Sequence, residues 1–122
     1  MSPLKRDPQE LLPLTPAMFE VLIALADGEK HGYAIIKEVS RRSGGQVALS
    51  AGTLYAIIRR FADEGIIVET AERPAPALDD ERRRYYQLTE FGRAVARAEG
   101  DRMETALRMA QAKKLIPKTR QA

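Results

Sequence analysis

Between Leu49 and Gly65 the chain reads Leu-Ser-Ala-Gly-Thr-Leu-Tyr-Ala-Ile-Ile-Arg-Arg-Phe-Ala-Asp-Glu-Gly, and this stretch constrains the fold more than any other. Ser50 is a good N-cap. Leu54, Ile57, Ile58 and Phe61 recur at the i, i+3, i+4, i+7 spacing of one buried helix face, and Gly65 supplies the left-handed residue that stops the helix. At about 100° per residue, Gly52, Ala56 and Arg59 point away from the apolar stripe, flanked by Thr53 and Arg60 on one side and Tyr55 on the other. Small residues let a helix axis approach a groove closely. Hydroxyls can bond phosphates or base edges, and Arg59 can donate a bidentate pair to guanine O6 and N7. The plainer alternative is a solvated face with two arginines for solubility. Asp63, at the far end of the same face, marks where close contact with a polyanion should stop.

The segments on either side decide what such a helix can serve. Upstream, Thr15-Pro16 is an N-cap with proline at the first helical position, predicting a helix to about Asp27. Phe19, Leu22, Ile23 and Ala26 form one apolar face of it and Met18, Val21 and Leu25 a second. A helix apolar nearly all round must be buried on more than one side, and in a small domain that implies a partner chain, most simply a second copy. A second helix is expected from Tyr33 to Ser43, with Ile36 and Val39 inward, Lys37, Arg41 and Arg42 outward, and Gly44-Gly45 at its end. The helix dipole alone accounts for arginines in that last turn. His31, the one histidine, reads as a hydrogen-bonded structural residue at a helix entrance. Gln46 to Leu49 can form a very short strand before the central helix, so that the order becomes that of a helix-turn-helix, whose second helix enters the major groove.

Downstream, Ile66 to Thr70 reads as a strand and Arg73 to Asp80, with two prolines, as a loop. Arg82 to Leu88 returns as a second strand, with Tyr86 and Leu88 on one face and Tyr85 and Gln87 on the other. Two antiparallel strands after a helix-turn-helix make a wing. Arg82, Arg83 and Arg84 beside two tyrosines suit phosphate and minor-groove contact, although Asp79, Asp80 and Glu81 could instead neutralise them within the hairpin. Thr89 then caps a helix of about 25 residues to roughly Lys114, with Phe91, Val95, Ala98, Met103, Leu107 and Ala110 as a loose apolar seam. It is too long to cover one small domain and should project onto a neighbour.

The expected organisation of the 122 residues is therefore one domain with appendages. Residues 1–14, with three prolines, form an irregular or disordered arm whose Lys5 and Arg6 either solubilise the chain or touch phosphate. Residues 15–89 form a winged helix-turn-helix, 90–114 a C-terminal helix and 115–122 a flexible tail. The fold class is mainly α with a small β hairpin.

Charge and composition set limits on function. The net charge is +3, but residues 15–89 hold ten basic and eleven acidic side chains while 90–122 hold eight and four. Affinity for nucleic acid must then come from local clustering and from two copies, not from a bulk positive field. Cysteine is absent and there is no metal-ligand spacing or glycine-rich phosphate loop, which leaves no basis for an enzyme, a metal or another cofactor. No apolar run reaches the length of a membrane span and the N-terminus lacks a signal-peptide core, so a soluble cytoplasmic protein is expected.

Leu14-Thr15-Pro16, His31-Gly32-Tyr33, Ser50-x-Gly52-Thr53-Leu54-Tyr55, Glu64-Gly65-Ile66-Ile67 and Arg84-Tyr85-Tyr86-x-Leu88-Thr89-x-x-Gly92, in this order, resemble the PadR family of bacterial transcriptional regulators over about residues 14–110. The resemblance implies a winged helix-turn-helix with a C-terminal dimerisation helix, and a homodimer on a palindromic double-stranded operator. It also implies a repressor released by a small-molecule effector at the dimer interface. Ser50, Gly52, Thr53, Tyr55, Arg59, Arg60, Arg82, Arg83 and Arg84 would then contact DNA, and Met18, Phe19, Val21, Leu22, Leu25, Val95, Met103 and Leu107 would form the dimer interface. Two departures stand out. There is no tryptophan to stack a planar drug at the dimer centre, and Ala56 stands where the family often has proline. A winged-helix module that binds protein instead of DNA is the competing expectation, and the near-neutral charge of residues 15–89 is its support.

Overall fold

A computed structural model describes residues 6–70 and 84–118. Among them, helices α1 (Pro16–Ala24), α2 (Gly32–Arg42), α3 (Ala51–Asp63) and α4 (Glu90–Ala112) and strands β1 (Lys30–His31), β2 (Ile67–Glu69) and β3 (Tyr85–Leu88) follow a short 3-10 turn, Pro8–Leu11. Each α-helix starts at a side chain that accepts a first-turn N–H. Thr15 Oγ1 takes Met18 N–H at 3.1 Å, Ser50 Oγ takes Thr53 N–H at 3.0 Å and Thr89 Oγ1 takes Gly92 N–H at 2.9 Å. His31 does the same for α2, its Nδ1 accepting from Ala34 N–H at 3.1 Å, which is the structural role expected of it.

Gly65 (φ 77°) ends α3 as expected. Its N–H bonds to Ala62 O and that of Ile66 to Phe61 O, the paired bonds of a Schellman stop. The turn leads straight into β2. Thr89 N–H and Oγ1 then donate to Ile66 O at 3.0 and 3.1 Å, so the start of α4 is fixed against the end of α3.

The sheet has the order β1-β3-β2, antiparallel throughout. Ile67 faces Leu88 and Glu69 faces Tyr86 across β2 and β3, while Tyr86 and Leu88 turn into the core and Gln87 lies exposed, as the alternation predicts. Two expectations about strands change. Gln46 to Leu49 is not a strand, because Gly44 and Gly45 both take positive φ and Ser43 Oγ accepts Val47 N–H at 3.0 Å, which pins the connection locally. The third strand is instead Lys30–His31, paired with Tyr86 and Tyr85.

Helix α1 is shorter than expected, ending at Ala24; the chain itself buries its Met18, Val21 and Leu25 face, while on the other Leu22 is buried, Phe19 and Ile23 are half-buried and Ala26 is exposed. It packs between α2 and α4, with Met18, Val21, Leu22, Ala24 and Leu25 all in the core. The inference that a partner must bury the second face is thereby replaced by burial within one chain. In α2 the inward pair is Ile35 and Val39, one turn apart, and Ile36 is only half-buried. Arg42 binds Glu38 and also Glu20 Oε1 at 2.9 Å, bracing α2 against α1.

The segment before α1 is also corrected. Asp7 caps the 3-10 turn, Leu11 and Leu12 pack on the core and Leu14 is buried, so residues 7–14 are part of the folded body. Arg6, expected to solubilise or to touch phosphate, instead donates to Glu64 O at 3.0 Å and lies 5.7 Å from the Phe91 ring centroid. Lys5 lies outside the described residues. Leu14 N–H donates to Glu99 Oε2 at 3.1 Å, and Glu99 is fully buried although it sits in the middle of α4. Arg102 closes the pair from the solvent side at 2.6 Å and, chiefly by that hydrogen bond, holds the Glu99 carboxyl below its ordinary range against the opposing effect of burial.

Candidate nucleic-acid interface

Helix α3 is attached by Leu54, Ile57, Ile58 and Phe61, all buried, and this fixes which side it presents. Gly52, Thr53, Ala56, Arg59 and Arg60 are exposed and Tyr55 is half-buried, so the face anticipated from the spacing lies open to solvent. Ser50 and Thr53 hydroxyls sit 3.0 Å apart at the N-terminal end of this face, Ser50 donating.

Tyr55 is held in place by α2. A Cβ on Gly32 would lie 2.5 Å from the Tyr55 hydroxyl and 3.1 Å from its ring, so any larger residue at the entrance of α2 would have to displace the Tyr55 side chain. Gly52 differs. Nothing but Ser50 Oγ, at 3.9 Å, lies near the Cβ it lacks. Inside a helix glycine costs roughly 0.5–1 kcal/mol relative to alanine. No internal contact of Gly52 offsets that cost, and a close approach from outside is what its bare backbone permits.

The two arginines of α3 are not equivalent. Arg60 lies 3.5 Å from Glu64, whereas Arg59 has no hydrogen bond or ion pair among the described residues. Arg59 lines one wall of a cleft of about 270 Å³ between α3 and the base of the wing, together with Tyr55, Ile58 and Ala62. The opposite wall holds Glu69, Arg84 and Tyr86. Arg84 therefore lines the same cleft as Arg59, while Arg82 and Arg83, and the expected loop at 73–80, lie outside the described residues.

The residues expected at a dimer interface divide into two groups. Met18, Val21, Leu22, Leu25 and Val95 are buried in the chain's own core. Phe19 is half-buried beside a cleft of about 300 Å³ between α1 and α4, with Ile23, Ala26, Arg93, Ala96 and Arg97 around it. Met103 and Leu107 are exposed on α4, which from Asp101 to Met109 has no buried residue. No helix among the described residues is long and apolar enough to cross a membrane, and no group of three or more possible metal-binding side chains occurs among them.

Missing from the sequence reading were Glu69, which faces Arg84 at 3.6 Å, and Glu99. The register of β2 on β3 places Glu69 there, and spacing along the chain carries no signal for it.

Comparison with known proteins agrees with this fold. The Transcriptional regulator PadR-like family matches residues 21–98. An uncharacterised protein of Lysinibacillus sphaericus is 27% identical over 74 residues, 61% of this chain and 65% of the relative's own length. Among solved structures, a transcriptional regulator from Clostridium thermocellum superposes with a TM-score of 0.65 at 21% identity, covering 79% of this chain and 87% of that one. A PadR family transcription regulator from hypervirulent Clostridium difficile gives 0.65 at 19% identity, over 84% of this chain and 100% of its own. RosR of H. salinarum gives 0.57 at 24%, over 79% and 76%.

Proposed function

The chain belongs to the PadR-like family of transcriptional regulators, not to an enzyme family, and we propose from that premise that it is a dimeric, sequence-specific DNA-binding repressor. Residues 15–89 would bind the operator and 90–114 would dimerise. The observation that carries this reading is the exposed face of α3, where Gly52 leaves the backbone bare and Arg59 stands without a protein partner among the described residues. Ser50, Thr53, Tyr55 and Arg60 surround the pair and would contact bases and phosphates in the major groove, with Arg59 reading guanine. Arg84, and by sequence Arg82 and Arg83, would engage the backbone from the wing.

Dimerisation supplies what the near-neutral domain lacks, namely a second set of contacts on a palindromic site. Phe19, Met103 and Leu107 would form the interface, whereas Met18, Val21, Leu22, Leu25 and Val95, also expected there, lie in the core of the single chain and would not meet a partner directly. Gly100 has nothing within 4 Å of a would-be Cβ and lets a second helix approach where α4 leaves the body. A small-molecule effector seated at this dimer face would release the DNA.

Selection of bound duplexes from a random pool tests the proposal. A palindromic consensus is expected, and Arg59→Ala should relax the preference at one position of each half-site, whereas Arg84→Ala should weaken all sequences alike. Recovery of no enriched sequence would favour a winged-helix module that binds protein, a reading supported by the even balance of charge over residues 15–89.

A further inference from the structure

The two arginines that face each other across the cleft between α3 and the wing differ in one respect. Arg59 has no carboxylate beside it among the described residues, whereas Glu69 Oε1 lies 3.6 Å from Arg84 Nη1. Both members of the pair are about half exposed, at 52% and 47%, so the ion pair is hydrated and cheaply broken. The backbone of Glu69 is held in β2 by register with the buried Tyr86 of β3, so the side chain can turn but its point of attachment beside Arg84 is fixed.

We propose that Glu69 is an affinity-setting residue. It occupies Arg84 in the free protein and competes with backbone phosphate for that guanidinium when the domain meets DNA. A phosphate offers Arg84 a stronger, bidentate partner and displaces the carboxylate. Breaking that pair costs the same whichever phosphate Arg84 engages. Because phosphates are common to all sequences, Glu69 lowers the sequence-independent part of binding and leaves base preference to α3. The inference rests on the DNA-binding reading above and goes beyond it by assigning an acidic residue a restraining role.

The test is a duplex titration over a series of salt concentrations, using the selected site and an unrelated duplex, with wild type, Glu69→Gln, Arg84→Ala and the double variant Glu69→Gln/Arg84→Ala. Glu69→Gln should tighten both duplexes by about two- to fivefold. It should leave the slope of log affinity against log salt nearly unchanged, because Arg84 reaches phosphate in both proteins, and leave the selected consensus unchanged. The gain should be absent when the double variant is compared with Arg84→Ala. No gain on either duplex in Glu69→Gln, or a gain that survives loss of Arg84, would overturn the restraining role while leaving DNA binding intact. Absence of any salt-sensitive complex with wild type would remove the DNA-binding reading and the restraint with it. Glu69→Ala, which removes the same charge, should reproduce the gain, and matched thermal melts would show that the fold is kept.

Discussion

Helix α3 and the outer half of α4 both lie open to solvent, yet they expose opposite chemistry. On α3 every large apolar side chain is buried and the open positions hold Gly52, Thr53, Ala56, Arg59 and Arg60. On α4 Met103 and Leu107, one turn apart on one face, are exposed by 42% and 44%. A face of small residues, hydroxyls and guanidinium groups gains little from contact with an apolar surface and much from contact with a polyanion. The α4 face has the reverse preference. One chain thus carries two separate surfaces, one suited to nucleic acid and one to protein, and the root of α4 lies between them. There Val95 and Glu99 are buried, and Leu14 and Arg102 clamp the carboxylate.

The largest expected effect of breaking this contrast comes from α4. Met103→Glu with Leu107→Glu puts charge on the apolar face and should raise the dimer dissociation constant by at least about 100-fold, since each buried Met or Leu contributes about 1.5 kcal/mol or more. Sedimentation equilibrium measures it, and the melting temperature at low concentration separates lost association from lost folding. Next is Arg59→Ala, which should weaken the selected site by about 10-fold or more and broaden its sequence preference without altering the oligomeric state.

Between the two faces, Glu99→Ala should destabilise the fold by about 1–3 kcal/mol in urea unfolding, because Leu14 N–H loses its acceptor in a buried place. Arg102, partly exposed, can return to water, so the loss stays below that of a fully buried pair. The pH dependence has a definite sign. The folded-state pKa of Glu99 lies below its ordinary value, so its stabilisation is complete above the ordinary glutamate range and is lost as pH falls through the folded value. Urea midpoints of wild type and Glu99→Gln should therefore converge in acid. The smallest effect sharpens the contrast most finely. Gly52→Ala should stabilise the free protein by about 0.5 kcal/mol, because the helix gains and nothing clashes, and should weaken DNA binding.

The extent to which the sequence revealed these features follows the range of the interactions. Helix starts at Thr15, Ser50 and Thr89 are set by a hydroxyl and an N–H three residues away, and the stop at Gly65 by bonds within one turn, so local reading finds them. The exposed face of α3 follows from the same periodicity that buries Leu54 and Phe61. Strand β1 has no such signal, because two residues show no period and Lys30–His31 exists only through pairing with Tyr85 and Tyr86. Prolines made residues 1–14 read as an irregular arm, while Leu11, Leu12 and Leu14 anchor it on the core. Glu99 reads as a solvent-facing charge in a helix, and only the folded position of Leu14 makes it a buried acceptor. Glu69 becomes part of the candidate site through strand register, again a long-range fact.

The most direct measurement for the central claim is a titration of the full chain against the duplex recovered by selection, with stoichiometry and affinity determined at several salt concentrations. The expected result is two chains per palindromic site, with affinity falling linearly in log salt, and a marked weakening in Arg59→Ala at every salt. Absence of any salt-sensitive complex at micromolar protein, with the dimer intact, would contradict the assignment of the α3 face to DNA.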